Sequence, residues 1–255
     1  MTHERGVMRQ GIMVMVSVVC FLIGSLGVAK AAEGVLAGTD VSGELTVDFY
    51  SRYVWRGFML DNDPVVQPGF SLSAYGITAS FWGSFDARNR DELASDEVDF
   101  TLDYAKEFDG FSVSVGVTHY AFPGGDSYSD EVYAGIAFDV FLSPQVTVYH
   151  DYGDEAQGGG DGQYIHLAVG HSITLEETYG TTFDLSAGVG FNNELFIAGT
   201  GGDYAVSAGL TIPLSAAFSL RPTVGYTMPF GDVKAASDGG QKNRFYSGIS
   251  VAGNF

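Results

Sequence analysis

Cysteine is nearly missing from this chain: one residue, Cys20, in 255. No disulfide framework can hold such a protein together, so its stability needs another source, such as a closed hydrogen-bonded sheet. Charge is scarce at 17%, and basic residues are scarcer, with 12 Lys and Arg against 31 Asp and Glu. Too few cations are present to follow a phosphate backbone, which excludes nucleic acid as a partner. Low charge combined with 35 Gly and 14% aromatic residues argues against a helical globular enzyme and against disorder. Beyond the first thirty residues, no apolar run reaches the ~20 residues that a membrane helix requires, so any membrane embedding must be by strands. Metal-ligand clusters, phosphate-cradling loops and nucleophile elbows are also lacking, and no catalytic, cofactor or metal site is expected.

What is present begins with an address. Arg5 and Arg9 precede a mostly apolar run from Gly11 to Ala29, followed by the small-residue site Ala29-Lys30-Ala31. Residues 1–31 therefore read as a secretory signal peptide, the alternative being a retained anchor of borderline spanning length. Cleavage removes Cys20 and leaves residues 32–255 as one domain. Val19 is not the small residue that a lipoprotein site would place before Cys20.

Period-two alternation then dominates. From Val41 to Trp55 the odd positions include Leu45, Val47, Phe49, Tyr53 and Trp55, while the even ones include Glu44, Thr46, Asp48, Arg52 and Arg56 just beyond. A single fifteen-residue strand is expected there, long for a soluble sheet. The pattern recurs through twelve segments, with apolar faces such as Phe100, Leu102, Tyr104 and Val113, Val115, Val117. Connections sort by parity: long polar loops at 57–64, 86–96, 121–130, 151–163, 192–202 and 230–243, and short links elsewhere, 172–180 excepted. Short turns on one rim and long loops on the other predict an all-β fold, a transmembrane antiparallel up-and-down β-barrel of about twelve strands in a bacterial outer membrane. Tyr53, Trp55, Phe81, Trp82, Phe85, Tyr104, Phe108, Tyr226 and Phe230 lie near segment ends, where aromatic girdles would sit.

Two stretches carry family resemblances. The ending FYSGISVAGNF, with Phe245 and Phe255, resembles the C-terminal signal read by the barrel insertion machinery. Residues 51–73 resemble the opening of the TorF-type family of bacterial outer-membrane porins, in which an aromatic-rich Y-x-x-RG stretch precedes a D/N-x-P-x-x-Q-x-G segment. Tyr53, Arg56, Gly57, Asp63, Pro64, Gln67 and Gly69 match, and residues 76–85 are similar to that family's third strand. The resemblance implies a passive pore and names no solute.

If the apolar faces meet lipid, the opposite faces line a lumen: Glu44, Asp48, Asp99, Asp103, Asp139 and Asp184 against Arg52, Arg56, Arg221 and Arg244. The acidic excess predicts weak cation preference for ions or small solutes. The alternative is that these charges pair and plug a narrow barrel. The long loops are acidic, and Asp151, Asp154, Glu155 and Asp161 do not reproduce a calcium loop. A solvated loop is expected there, with divalent bridging to lipopolysaccharide as the alternative. His119 and His150 stand at strand ends without a nucleophile motif. Two other functions stay open: a lipid hydrolase, and a non-conducting structural or adhesive barrel that binds a partner through its loops.

Overall fold

A computed structural model describes residues 41–88, 97–125, 127–153, 160–177, 179–236 and 241–255; the expected signal peptide lies outside them. Its elements are β1 (Val41–Tyr50), β2 (Tyr53–Trp55), β3 (Phe58–Asp61), β4 (Val65–Ala74), β5 (Ile77–Asp86), β6 (Glu97–Phe108) and β7 (Phe111–Phe122). They continue with β8 (Ser127–Phe138), β9 (Gln145–Asp151), β10 (Gln163–Glu176), β11 (Thr181–Asn193), β12 (Thr200–Pro213), β13 (Phe218–Phe230), a helical turn α1 (Gly231–Ala235) and β14 (Arg244–Asn254).

Twelve of these strands, β1 and β4–β14, close into a barrel in which every neighbour is antiparallel. Closure matters because each backbone amide then has a partner and no edge is left to pair with another chain. The seam is sealed by the chain's last residue: Gly43 N donates to Phe255 O at 2.7 Å and Phe255 N donates to Gly43 O at 3.0 Å. The Phe255 ring lies where a side chain at position 43 would sit and stacks on Phe70 at 6.3 Å. Two prolines interrupt the ladders. The β4–β5 register skips Pro68 and the β12–β13 register skips Pro222, since proline has no amide to donate. At the first gap Gln67 Nε2 bonds Ser84 Oγ across the strands at 3.1 Å.

The alternation sets two faces. Phe100, Leu102, Val115, Val117, Val132, Val148, Leu167, Leu185, Val206, Val224 and Ile249 stand exposed around the outside. The inside is polar, with hydroxyl pairs Thr101–Thr118 at 3.0 Å and Ser186–Ser207 at 2.7 Å.

Three expectations change. The first strand stops at Tyr50, and residues 53–61 form a separate two-stranded hairpin, β2–β3, where a loop from 57 was expected. The expected 121–130 loop shortens to 123–126 because β7 and β8 pair out to Phe122 and Ser127. The 172–180 exception disappears, since β10 runs to Glu176 past a register shift at Thr174/Glu176. The connections after β4, β6, β8, β10 and β12 thus share one rim with the start of β1 and the end of β14, and the hairpin, α1 and the connections after β5, β7, β9 and β11 share the other.

Candidate functional site

The inner wall is built on a repeated three-strand device. Tyr133 on β8 lies across Gly116 on β7 and donates to Asp103 Oδ2 on β6 at 2.8 Å. Tyr164 on β10 lies across Gly190 on β11 and donates to Asp203 Oδ1 on β12 at 2.8 Å. Tyr50 covers Gly248 in the same way, and Tyr246 covers Gly225. A Cβ at any of these glycines would meet the ring, so the glycine is what lets a tyrosine lie flat and reach two strands over.

Across the wider-loop rim, the β2–β3 hairpin folds into the mouth. Its turn, Trp55-Arg56-Gly57-Phe58, has positive φ at both central residues, 48° and 83°, as a two-residue type I′ turn needs. Gly57 packs against Asp203 and Val233 so closely that a Cβ would stand 2.8 Å from the Asp203 side chain. Arg56, at the tip, reaches β8–β10, on the far side of the barrel from β1 and β4 in strand order. There it makes a two-pronged ion pair with Glu131, Nη1–Oε2 2.6 Å and Nη2–Oε1 2.9 Å, at side-chain exposures of 9% and 1%. Three rings surround the guanidinium: Tyr149 at 4.2 Å, Trp55 at 4.4 Å and Tyr164 at 4.6 Å. Tyr120 donates to Glu131 Oε1 at 3.0 Å. Burial disfavours the charged guanidinium, but the Glu131 contact outweighs it and holds Arg56 above its ordinary pKa.

Apolar packing seats the rest of the hairpin. Tyr53, Phe58, Val65, Leu195 and Val233 are buried. Tyr53 meets Trp82 at 5.5 Å, and Trp55 meets Tyr120 at 6.1 Å and Phe196 at 5.7 Å. Phe196 is placed by the 194–199 loop, which Asn192 pins through two 3.0 Å bonds to the Leu195 backbone. Tyr53, Trp55 and Trp82, expected in an outer girdle, are therefore interior residues of the mouth. The chain turns inward after Tyr50, and Trp82 has the polar parity of its strand.

The other lumen candidates separate by height. Glu44, Asp48, Asp99, Asp103, Asp184, Arg221 and Arg244 share the inward parity of their strands. Asp184 accepts from Thr182 at 3.0 Å and Thr211 at 2.7 Å. Asp139 lies exposed just past the end of β8, on the tight-turn rim. Arg52 belongs to the link into the hairpin, and the Nε atoms of Arg52 and Arg244 are buried without a hydrogen-bond partner. Phe245 and Phe255 face outward. Sequence reasoning passed over Glu97, Glu131 and Asp203 as interior carboxylates, although Glu131 has the parity opposite to Val132, Ala134 and Ile136. Asp151 is not a solvated loop group: it is buried, and accepts from Ser129, from Gly153 N at 2.8 Å and from Gly160 N at 3.2 Å. Asp154 and Glu155 lie outside the described residues. His119 faces outward, 2.8 Å from Asp130.

Among solved structures, the chain is similar to the KdgM porin at TM-score 0.52 and 11% identity, with 84% of this chain and 99% of that one covered. It is similar to the NanC porin in its rhombohedral crystal form at TM-score 0.51 and 11% identity, covering 82% and 98%. At this identity the likeness establishes the fold, a closed porin-like barrel. No curated protein matches the chain. Residues 32–239 match one family over most of the chain, and the protein belongs to that family, described as a bacterial protein of unknown function (Gcw_chp).

Proposed function

We propose that this protein is an outer-membrane channel of porin type, passing ions or small solutes by diffusion with a weak preference for cations, and narrowed at its outer mouth by the β2–β3 hairpin. The single observation that carries this reading is the pairing of an apolar outer belt with an acidic polar interior in one closed barrel. Such a surface is stable in a bilayer, where the exposed apolar side chains meet acyl chains and the closed ladder pairs strand amides away from lipid. Inside, Glu44, Asp48, Glu97, Asp99, Asp103, Asp184 and Asp203 outnumber Arg52, Arg221 and Arg244 once Arg56 is set against Glu131. Fixed carboxylates lower the energy of a passing cation. The TorF-type resemblance of residues 51–85 supports the same reading, and so does the porin-like fold; catalysis has no comparable support. Outer-membrane lipid and lipopolysaccharide would surround the barrel, which the insertion machinery would place there.

The hairpin also favours a second reading, a non-conducting barrel with partner-binding loops, because it crosses the mouth and is anchored on the opposite wall. Planar-bilayer recording of the refolded protein in a salt gradient separates the two. Stable steps with a cation-selective reversal potential are expected; a folded barrel that never conducts, or conducts anions preferentially, rejects the channel as proposed.

A further inference from the structure

Between the hairpin and the barrel wall lies a cavity of about 220 Å³, lined by Trp55, Phe58, Leu60, Tyr120, Phe122 and Phe196, with Glu97 the one charged group among its described lining residues. At ~30 Å³ per water it holds a guest of several heavy atoms. Glu97 is 5% exposed, accepts a hydrogen bond from the Tyr53 hydroxyl and forms no ion pair among the described residues. Two residues along the same face, Asp99 Oδ1 is buried without a hydrogen-bond partner. The site thus offers a carboxylate and electron-rich ring faces, with no cation among its described lining residues. Immediately beside it the protein already uses this chemistry: Arg56 sits among Trp55, Tyr149 and Tyr164 with Glu131 as counter-charge. Trp55 borders both the occupied cage and the cavity.

We propose that this cavity is a binding site for a small organic cation of the alkylammonium class, held by the rings around Trp55 and by the Glu97 carboxylate. Aromatic faces attract an ammonium group through their quadrupole, most strongly where water is excluded, and an alkylated ammonium fills an apolar pocket that would disfavour a hydrated metal ion. The site goes beyond the channel reading and does not depend on conduction.

The test uses choline and its uncharged isostere 3,3-dimethylbutan-1-ol on the barrel refolded in an alkyl glucoside micelle, which carries no ammonium group. The chain has two tryptophans, so Trp82→Phe leaves Trp55 as a fluorescence reporter in the cavity wall. Choline should shift Trp55 emission saturably, and the isostere should bind about tenfold or more weakly. Glu97→Gln should reduce that discrimination several-fold and leave the part the rings supply. Phe196→Ala, a half-exposed loop position, should weaken choline binding several-fold while heat-modifiable mobility stays intact. Equal binding of choline and the isostere to the parent protein, or no saturable response to either in a folded barrel, overturns the proposal. Loss of conduction alone would overturn only the channel.

Discussion

Arg56 does at one residue what the rest of the hairpin does by area. Its guanidinium is buried with Glu131 as counter-charge, so removing either partner strands the other in a site that water reaches poorly. Arg56→Ala and Glu131→Gln should each destabilise the folded barrel by about 3–5 kcal/mol, whereas Arg56→Met with Glu131→Leu should recover most of the loss. Urea unfolding followed by tryptophan emission gives the midpoints; independent, additive losses would show that the pair is not coupled. Gly116 is tested by the opposite operation. Gly116→Val places a branched side chain against Tyr133 and displaces its bond to Asp103, which should cost about 1–3 kcal/mol by overpacking. Tyr133→Phe in the same background should then lose little more, because that bond is already broken.

At the scale of elements, the hairpin is an insertion that the barrel does not need for closure. Tyr50 and Val65 already face each other in the β1–β4 register, so residues 51–64 can be replaced by a short glycine-containing turn with the ladder intact. That variant should conduct several-fold more than the parent in a planar bilayer; unchanged conductance would show that the narrowest point lies deeper, nearer Asp48, Asp184 and Arg221. No local signal marks the break after Tyr50, because alternation runs on unbroken through Trp55 and periodicity reports pleat, not direction. The turn escaped the sequence reading too: Arg56-Gly57 is not one of the Asn-Gly or Asp-Gly pairs that mark a two-residue hairpin, and only the match of Gly57 to the family pattern drew notice to it. Its partner on the far wall was equally hidden, since Arg56 and Glu131 are 75 residues apart and only closure of the sheet brings them together.

For the whole molecule, a closed ladder predicts resistance to detergent. The refolded protein should migrate faster unheated than boiled in dodecyl sulfate gels, and a single unshifted band would speak against a closed barrel. Selectivity is likewise a property of the summed interior charge. Asp48→Asn with Asp103→Asn and Asp184→Asn should move the reversal potential toward zero, and an unchanged potential would place the selectivity elsewhere.

Sequence by itself determined the number of barrel strands, the two faces and most of the sorting of connections, the link between β7 and β8 excepted, because each is written in local alternation and turn chemistry. It also placed Glu44, Asp48, Asp99, Asp103, Asp184, Arg221 and Arg244 on the polar parity of their strands. Tertiary structure alone decided that Tyr53, Trp55 and Arg56 leave the wall and cross the mouth, that Tyr133 and Tyr164 reach over glycines to carboxylates two strands away, and that Glu97 borders an aromatic cavity. Parity fixes which side of a sheet a residue faces, whereas what it meets across the interior depends on how the sheet closes.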